Sequence, residues 1–316
     1  MAEKKKVIVL TGPTAVGKTA LSISLAKAVN AEIISADSMQ VYKHMDIGTA
    51  KIMPEEMQGI KHFLVDELEP NEDFSVVRFQ QMAKEAMQDI WDRGKIPLIV
   101  GGTGFYIQAI LNDIDFTDNE KDDSYRNELE ELAQTKGAQH LHDMLKNVDP
   151  KAAEEIHAHN VKRVIRALEY FEQTGERISE HNDEQKQKES PYNFCYFVLN
   201  DDREILYERI NRRIDLMLEH GLVKEVEKLQ EMGYDKTYVS MQGLGYKEIL
   251  DYLNGSISLE EAVYILKRDT RHFAKRQLTW FRREKEVEWM NYQDYQSDKE
   301  KMLAAMLEQL RSHKII

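Results

Sequence analysis

The chain has 316 residues, 42% of them hydrophobic, which is enough for one large domain or two smaller ones around a sizeable core. Its formal net charge of −13 argues, taken alone, against a nucleic-acid partner. The single cysteine, Cys195, excludes internal disulfides and any all-cysteine metal site. Lys4, Lys5 and Lys6 precede only four apolar residues, too few for a signal-peptide core, and no stretch approaches the roughly 18 apolar residues of a membrane span. The expected location is therefore cytoplasmic, with no membrane partner.

Val7, Ile8, Val9 and Leu10 read as a strand buried on both faces. The strand runs into Gly12-Pro13-Thr14-Ala15-Val16-Gly17-Lys18-Thr19, a complete G-x-x-x-x-G-K-[ST] loop of the kind that holds ATP in nucleotide-binding proteins. Gly12 and Gly17 let the backbone turn so that its N–H groups surround a diphosphate, and the helix expected over 18–29 adds partial positive charge. Lys18 supplies an ammonium for the phosphate oxygens, and Thr19 a hydroxyl for Mg²⁺. Residues 32–35 form the next strand, completing a βαβ unit with parallel strands. Asp37 follows it directly, where a carboxylate serves as base, metal ligand or ribose contact, or simply caps a helix. A short strand at 62–65 leads to Asp66, the one place that mimics the Mg²⁺-holding Asp of an ordinary P-loop ATPase. Helical spacing covers 76–91 and ends at Gly94. The apolar strand 97–100 then enters a second glycine turn, Gly101-Gly102-Thr103-Gly104, in which Thr103 either faces the same diphosphate or merely turns the chain. The loops 12–19, 36–40 and 101–106 are expected together at the carboxyl ends of the strands.

From 113 to 190 the chain is acidic, polar and helical in spacing, and reads as an inserted helical domain between 1–112 and 191–316. The pairs His140/His142 and His157/His159 are spaced by two, so each pair points to different sides of a helix and makes a poor zinc site. Lys162, Arg163 and Arg166 form a basic cluster, and Arg126 lies in the same insertion. Residues 194–199 restore strand character, with Cys195 as core, and 288–290 read as a last strand. Arg209, Arg212 and Arg213 lie on the helix after Asp202, where Arg209 and Arg213 share a face. Between Lys267 and Arg283, seven bases face one acid and are interleaved with Phe273, Trp280 and Phe281. This is either an amphipathic face packed on the core or a surface on which RNA bases stack and phosphates pair. The fold class expected is α/β: a P-loop-like, mostly parallel sheet flanked by helices, with an all-helical insertion.

The ordered motifs resemble the bacterial tRNA dimethylallyltransferase (isopentenyltransferase) family over nearly the whole chain. They are the loop 12–19, Asp37 to Tyr42 with Met45 to Lys51, Gly101 to Tyr106, Arg163 to Glu169, Gly245-Tyr246-Lys247-Glu248, and Thr270 to Arg282. Asp37 to Lys51 is the most specific stretch. The resemblance implies transfer of a dimethylallyl group from its diphosphate to N6 of the adenosine 3′ of the tRNA anticodon, with Mg²⁺ as cofactor and a monomeric enzyme. The phosphate loop then holds the isoprenoid diphosphate rather than ATP. Lys18, Thr19 with Mg²⁺, Thr103 and Arg213 stabilise the departing pyrophosphate. Asp37 takes the N6 proton from an adenine flipped out of the anticodon loop. Ser38, Met39 and Gln40, with Thr103, Arg126, Lys162, Arg163, Arg166, Arg276 and Arg282, are the implied tRNA contacts. The family often has Gln where Lys162 stands, which leaves that contact open. The competing readings are a cytokinin-type enzyme acting on free AMP, ADP or ATP, a small-metabolite kinase, and a non-catalytic RNA-binding module.

Overall fold

The run Val7–Leu10 forms the centre of strand β1 (Lys5–Thr11), fully buried because a parallel neighbour flanks it on each side. A computed structural model describes residues 4–116 and 123–316 of the chain. The chain divides into two compact units, Met1–Leu111 with Pro191–Ile316, and Asn112–Ser190.

In the first unit β1 is joined by β2 (Ala31–Ala36), β3 (His62–Phe63), β4 (Ile96–Gly101), β5 (Tyr192–Asn200) and β6 (Val287–Asn291). They make one six-stranded sheet in the order β3-β2-β4-β1-β5-β6, every pairing parallel. Helices Lys18–Val29, Val76–Asp92 and Lys299–Ser312 pack on these strands, giving the α/β architecture. The chain leaves β1 toward β2 on one side and returns after residue 191 on the other. A switch point therefore lies at the carboxyl end of β1, where such sheets bind ligands. Register brings the strand ends level: Thr11 lies opposite Gly101 and Val198, and Ala36 opposite Gly101.

The strand expected at 62–65 is shorter, only His62–Phe63. Leu64 turns into the left-handed region (φ 61), and its N–H is taken by the Glu67 carboxylate, which ends the ladder.

The second unit is helical throughout its described residues, with helices Asp123–Lys136, Ala138–Val148, Pro150–Glu155, Val161–Thr174 and Ile178–Gln187. It has its own core of Leu129, Leu141, Leu145, Val164, Ile165 and Leu168. Buried Asp149 ties it together, accepting from Ala152 N–H at 3.0 Å and from the Ser179 hydroxyl at 2.7 Å.

Candidate active site

Gly12 (φ 146) and Gly17 (φ 102) carry the backbone from β1 through the phosphate loop into helix Lys18–Val29. Position 17 needs glycine for space as well, since a Cβ there would lie 2.8 Å from the Tyr292 hydroxyl. Lys18 Nζ donates to the carbonyls of Gly12 and Pro13, both at 2.9 Å. Burial and the Arg213 guanidinium push its pKa down to about 8, against a smaller opposing pull from Asp37. Arg213 is itself lowered by burial, with Asp37 and Glu56 acting the other way. Its guanidinium has no hydrogen-bond or ion-pair partner among the described residues. Two desolvated cations held near one another form a site for a polyanion.

No helix follows Asp37 directly, so it caps a turn and not the helix that its type allows. Its Oδ1 accepts from Met39 N–H at 2.9 Å and Gln40 N–H at 3.4 Å, so the carboxylate caps the turn after β2. That capping fixes the side chain, and Oδ2 takes no hydrogen-bond partner among the described residues. The Thr103 turn is drawn in beside it: Thr103 N–H donates to Ala36 C=O at 3.2 Å, and Gly101 is bare because a Cβ would lie 2.2 Å from that oxygen. A phosphate loop, a fixed carboxylate and a hydroxyl-bearing turn thus meet at the carboxyl ends of β1, β2 and β4. They equip this site to bind a diphosphate and accept a proton.

The remaining predicted residues divide. Ser38 is half-buried, and Met39 packs its methyl group against Gly243. The Gln40 amide points inward to the Thr49 and Ala50 carbonyls at 3.4 and 3.3 Å. Arg126 makes a two-pronged pair with buried Glu169, at 2.9 and 3.0 Å. Lys162, Arg163 and Arg166 are exposed on the Val161–Thr174 helix, opposite buried Val164, Ile165 and Leu168. In the 267–283 stretch, Lys267 pairs with Asp215, Arg268 with Asp269, and Arg271 with Asn211. Lys275, Arg276, Arg282 and Arg283 are exposed and make no ion pair among the described residues. An open groove of 430 Å³ is lined by His272, Lys275, Arg276, Thr279, Trp280 and Arg283. One face of the helix is packed on the core through Ala262, Leu266, Ala274, Gln277 and Phe281, and the other leaves these four cations exposed.

Comparison with known proteins fits this geometry. A family model described as IPP transferase matches residues 40–284, and one described as isopentenyl transferase matches residues 5–73. The chain belongs to the IPP transferase family. It is similar to a tRNA dimethylallyltransferase of Lachnoclostridium phytofermentans, with 66% identity covering 98% of each chain. Among solved structures it resembles the tRNA isopentenylpyrophosphate transferase of Bacillus halodurans (45% identity, 98% of each chain, TM-score 0.73). It also resembles a eukaryotic dimethylallyltransferase acting on tRNA, with 32% identity, 91% of this chain and 74% of the other, and a TM-score of 0.79.

Several residues inside the family's motifs serve the scaffold. Buried Lys51 donates to Tyr42 C=O at 2.6 Å and to Asp46 at 2.7 Å, and pairs with Asp66 at 2.5 Å. Asp66 is therefore engaged in this network rather than standing as the Mg²⁺-holding Asp its position mimics. Glu225 accepts the N–H groups of Asp46, Ile47 and Gly48 and the Tyr246 hydroxyl, all within 3.0 Å. Gly48 is required because a Cβ would meet the Tyr246 ring at 2.5 Å. Arg209 pairs with Asp201 and lies over the Tyr292 ring, so it does not join Arg213. His142 holds the Ala153 and Ile156 carbonyls with Nε2. Gln277, for which the sequence carries no distinguishing signal, is buried and bridges the two glycine loops.

Proposed function

We propose that this protein transfers the dimethylallyl group of dimethylallyl diphosphate to N6 of the adenosine 3′ of the anticodon in tRNA, releasing pyrophosphate. The observation that carries the reading is the meeting of Lys18, Arg213 and Asp37 at the carboxyl ends of β1 and β2. N6 attacks C1 of the dimethylallyl group as the C1–O bond to the diphosphate breaks. The N6 proton passes to Asp37, whose free Oδ2 suits the role of general base. Lys18 and Arg213 face the charge that builds on the leaving pyrophosphate, with the loop N–H groups and Thr103 completing the cradle. Lys18 must turn from its own loop carbonyls to the diphosphate oxygens to do this.

The Thr19 side chain is exposed in the first turn of its helix, and its hydroxyl takes no protein partner among the described residues. A hard oxygen donor beside a diphosphate fits Mg²⁺. When bound, the ion adds positive charge at the leaving group. Exposed cations on an otherwise acidic chain, Lys162, Arg163 and Arg166 in the one unit and Arg276 and Arg282 in the other, would each pair with tRNA phosphates. No helix among the described residues is long and apolar enough to cross a membrane.

The test is to offer labelled dimethylallyl diphosphate and Mg²⁺ with unmodified tRNA or with AMP. Label on tRNA alone is expected. Label on AMP would move the protein to free-nucleotide prenylation, and ATP consumption without label would point to a kinase.

A further inference from the structure

Gln277 lies on the Leu259–Phe281 helix and is 6% exposed. Its side-chain amide is used at both ends. Oε1 accepts the Thr14 N–H of the phosphate loop at 2.9 Å, and Nε2 donates to the Gly102 carbonyl of the second glycine turn at 2.9 Å. The orientation is dictated by chemistry, since a flipped amide would set donor against donor and acceptor against acceptor. Gly102 is shaped to admit it: a Cβ there would lie 2.2 Å from Nε2 and 3.7 Å from the Gly12 carbonyl oxygen. The Gly12 carbonyl is one of the two that hold the Lys18 ammonium, and residue 103 follows the bridged glycine. Arg276, the preceding residue on the same helix, lines the open groove.

We propose that Gln277 is a positioning residue of the transfer reaction. It fixes the spacing between the phosphate loop and the Thr103 turn, so that Lys18, Thr19 and Thr103 meet one diphosphate in a single geometry. The helix that carries the exposed cations thereby also sets the donor site, with one face for each task. This inference rests on the function proposed above.

Q277M keeps the length of the side chain and removes both hydrogen bonds. Its KM for dimethylallyl diphosphate should rise roughly 10-fold, because the donor must then order two unclamped loops itself. Its tRNA affinity by filter binding should stay within about twofold of wild type, because the exposed arginines are untouched. G102A should expel the amide and reproduce the effect, and the double variant should add little to either. A donor KM in Q277M equal to that of wild type would overturn the proposal. So would a matching loss of tRNA affinity, which would make Gln277 a residue of helix packing alone. Calorimetric binding of inorganic pyrophosphate to wild type and Q277M reads the same clamp without turnover. If the wild-type protein transfers no label yet Q277M binds pyrophosphate more weakly, the proposed reaction fails and the clamp stands.

Discussion

The phosphate loop 12–19 and the stretch 41–51 are equally recognisable in the sequence, but the structure uses them in opposite ways. In the loop and its surroundings, polar groups are held in place and left facing outward: Asp37 Oδ2, the Thr19 hydroxyl and the Arg213 guanidinium have no partner among the described residues. In 41–51, the polar groups are turned inward and satisfied. Lys51 is surrounded by three oxygen acceptors, and the N–H groups of residues 46–48 converge on Glu225. Specific sequence therefore marks two different needs. One is the site to which the proposed chemistry is assigned, and the other is a buried polar network that fails if any member is missing.

Substitutions can break this comparison. The largest effect is expected at Asp37: D37A should lower turnover by about 10²–10⁴-fold, as loss of a general base does, with tRNA affinity nearly intact. D37N sharpens the point, because its carbonyl oxygen can still accept from Met39 and Gln40 while the base is gone. It should melt like wild type and turn over like D37A; near-normal turnover would remove Asp37 from the chemistry. K51M should do the reverse. Losing a buried ammonium with three acceptors should cost about 1–3 kcal/mol of stability in denaturant melts, with kcat unchanged at temperatures where the protein stays folded. A catalytic loss in fully folded K51M would place 41–51 in the site after all.

A smaller effect is expected on the basic helix. R276A with R282A should weaken tRNA binding and flatten its dependence on log salt by about one unit for each phosphate left without its arginine. R271A, whose arginine is held by Asn211, should leave the slope unchanged. Equal slopes for both variants would return the whole helix to the fold. The smallest effect belongs to Cys195, whose thiol is pushed up to about 12 by burial, with Glu288 adding to it. Protonated below that pH, it should resist alkylation in the folded protein at about pH 8 and react only after unfolding. Rapid labelling of the native protein would contradict the buried strand.

Much of this was legible along the chain. The loop 12–19, Asp37 and the Gly101–Gly104 turn were readable because each places its chemistry within a few consecutive residues. Strands β1, β4 and β5 were readable because apolar runs buried on both faces have few other uses. Asp66 could only be said to mimic a Mg²⁺-holding Asp, because a carboxylate after a short apolar run has the same local appearance whether it holds Mg²⁺ or a buried lysine. Arg209 and Arg213 share a face on the helical wheel, but the neighbours that separate them, Asp201 and Tyr292, come from other elements.

The sequence by itself determined the parallel α/β sheet, the glycine-rich loop 12–19 and the family, since these depend on period, turn chemistry and contiguous motifs. Only the tertiary structure decided which charges are free. Lys51, Arg126, Arg209 and Arg271 are all cations on paper, and each is committed to a partner that folding brings to it. Gln277 shows the same limit most plainly. It reaches Thr14 across 263 positions of chain, and one side-chain amide joining two loops leaves no periodic or local trace in the sequence.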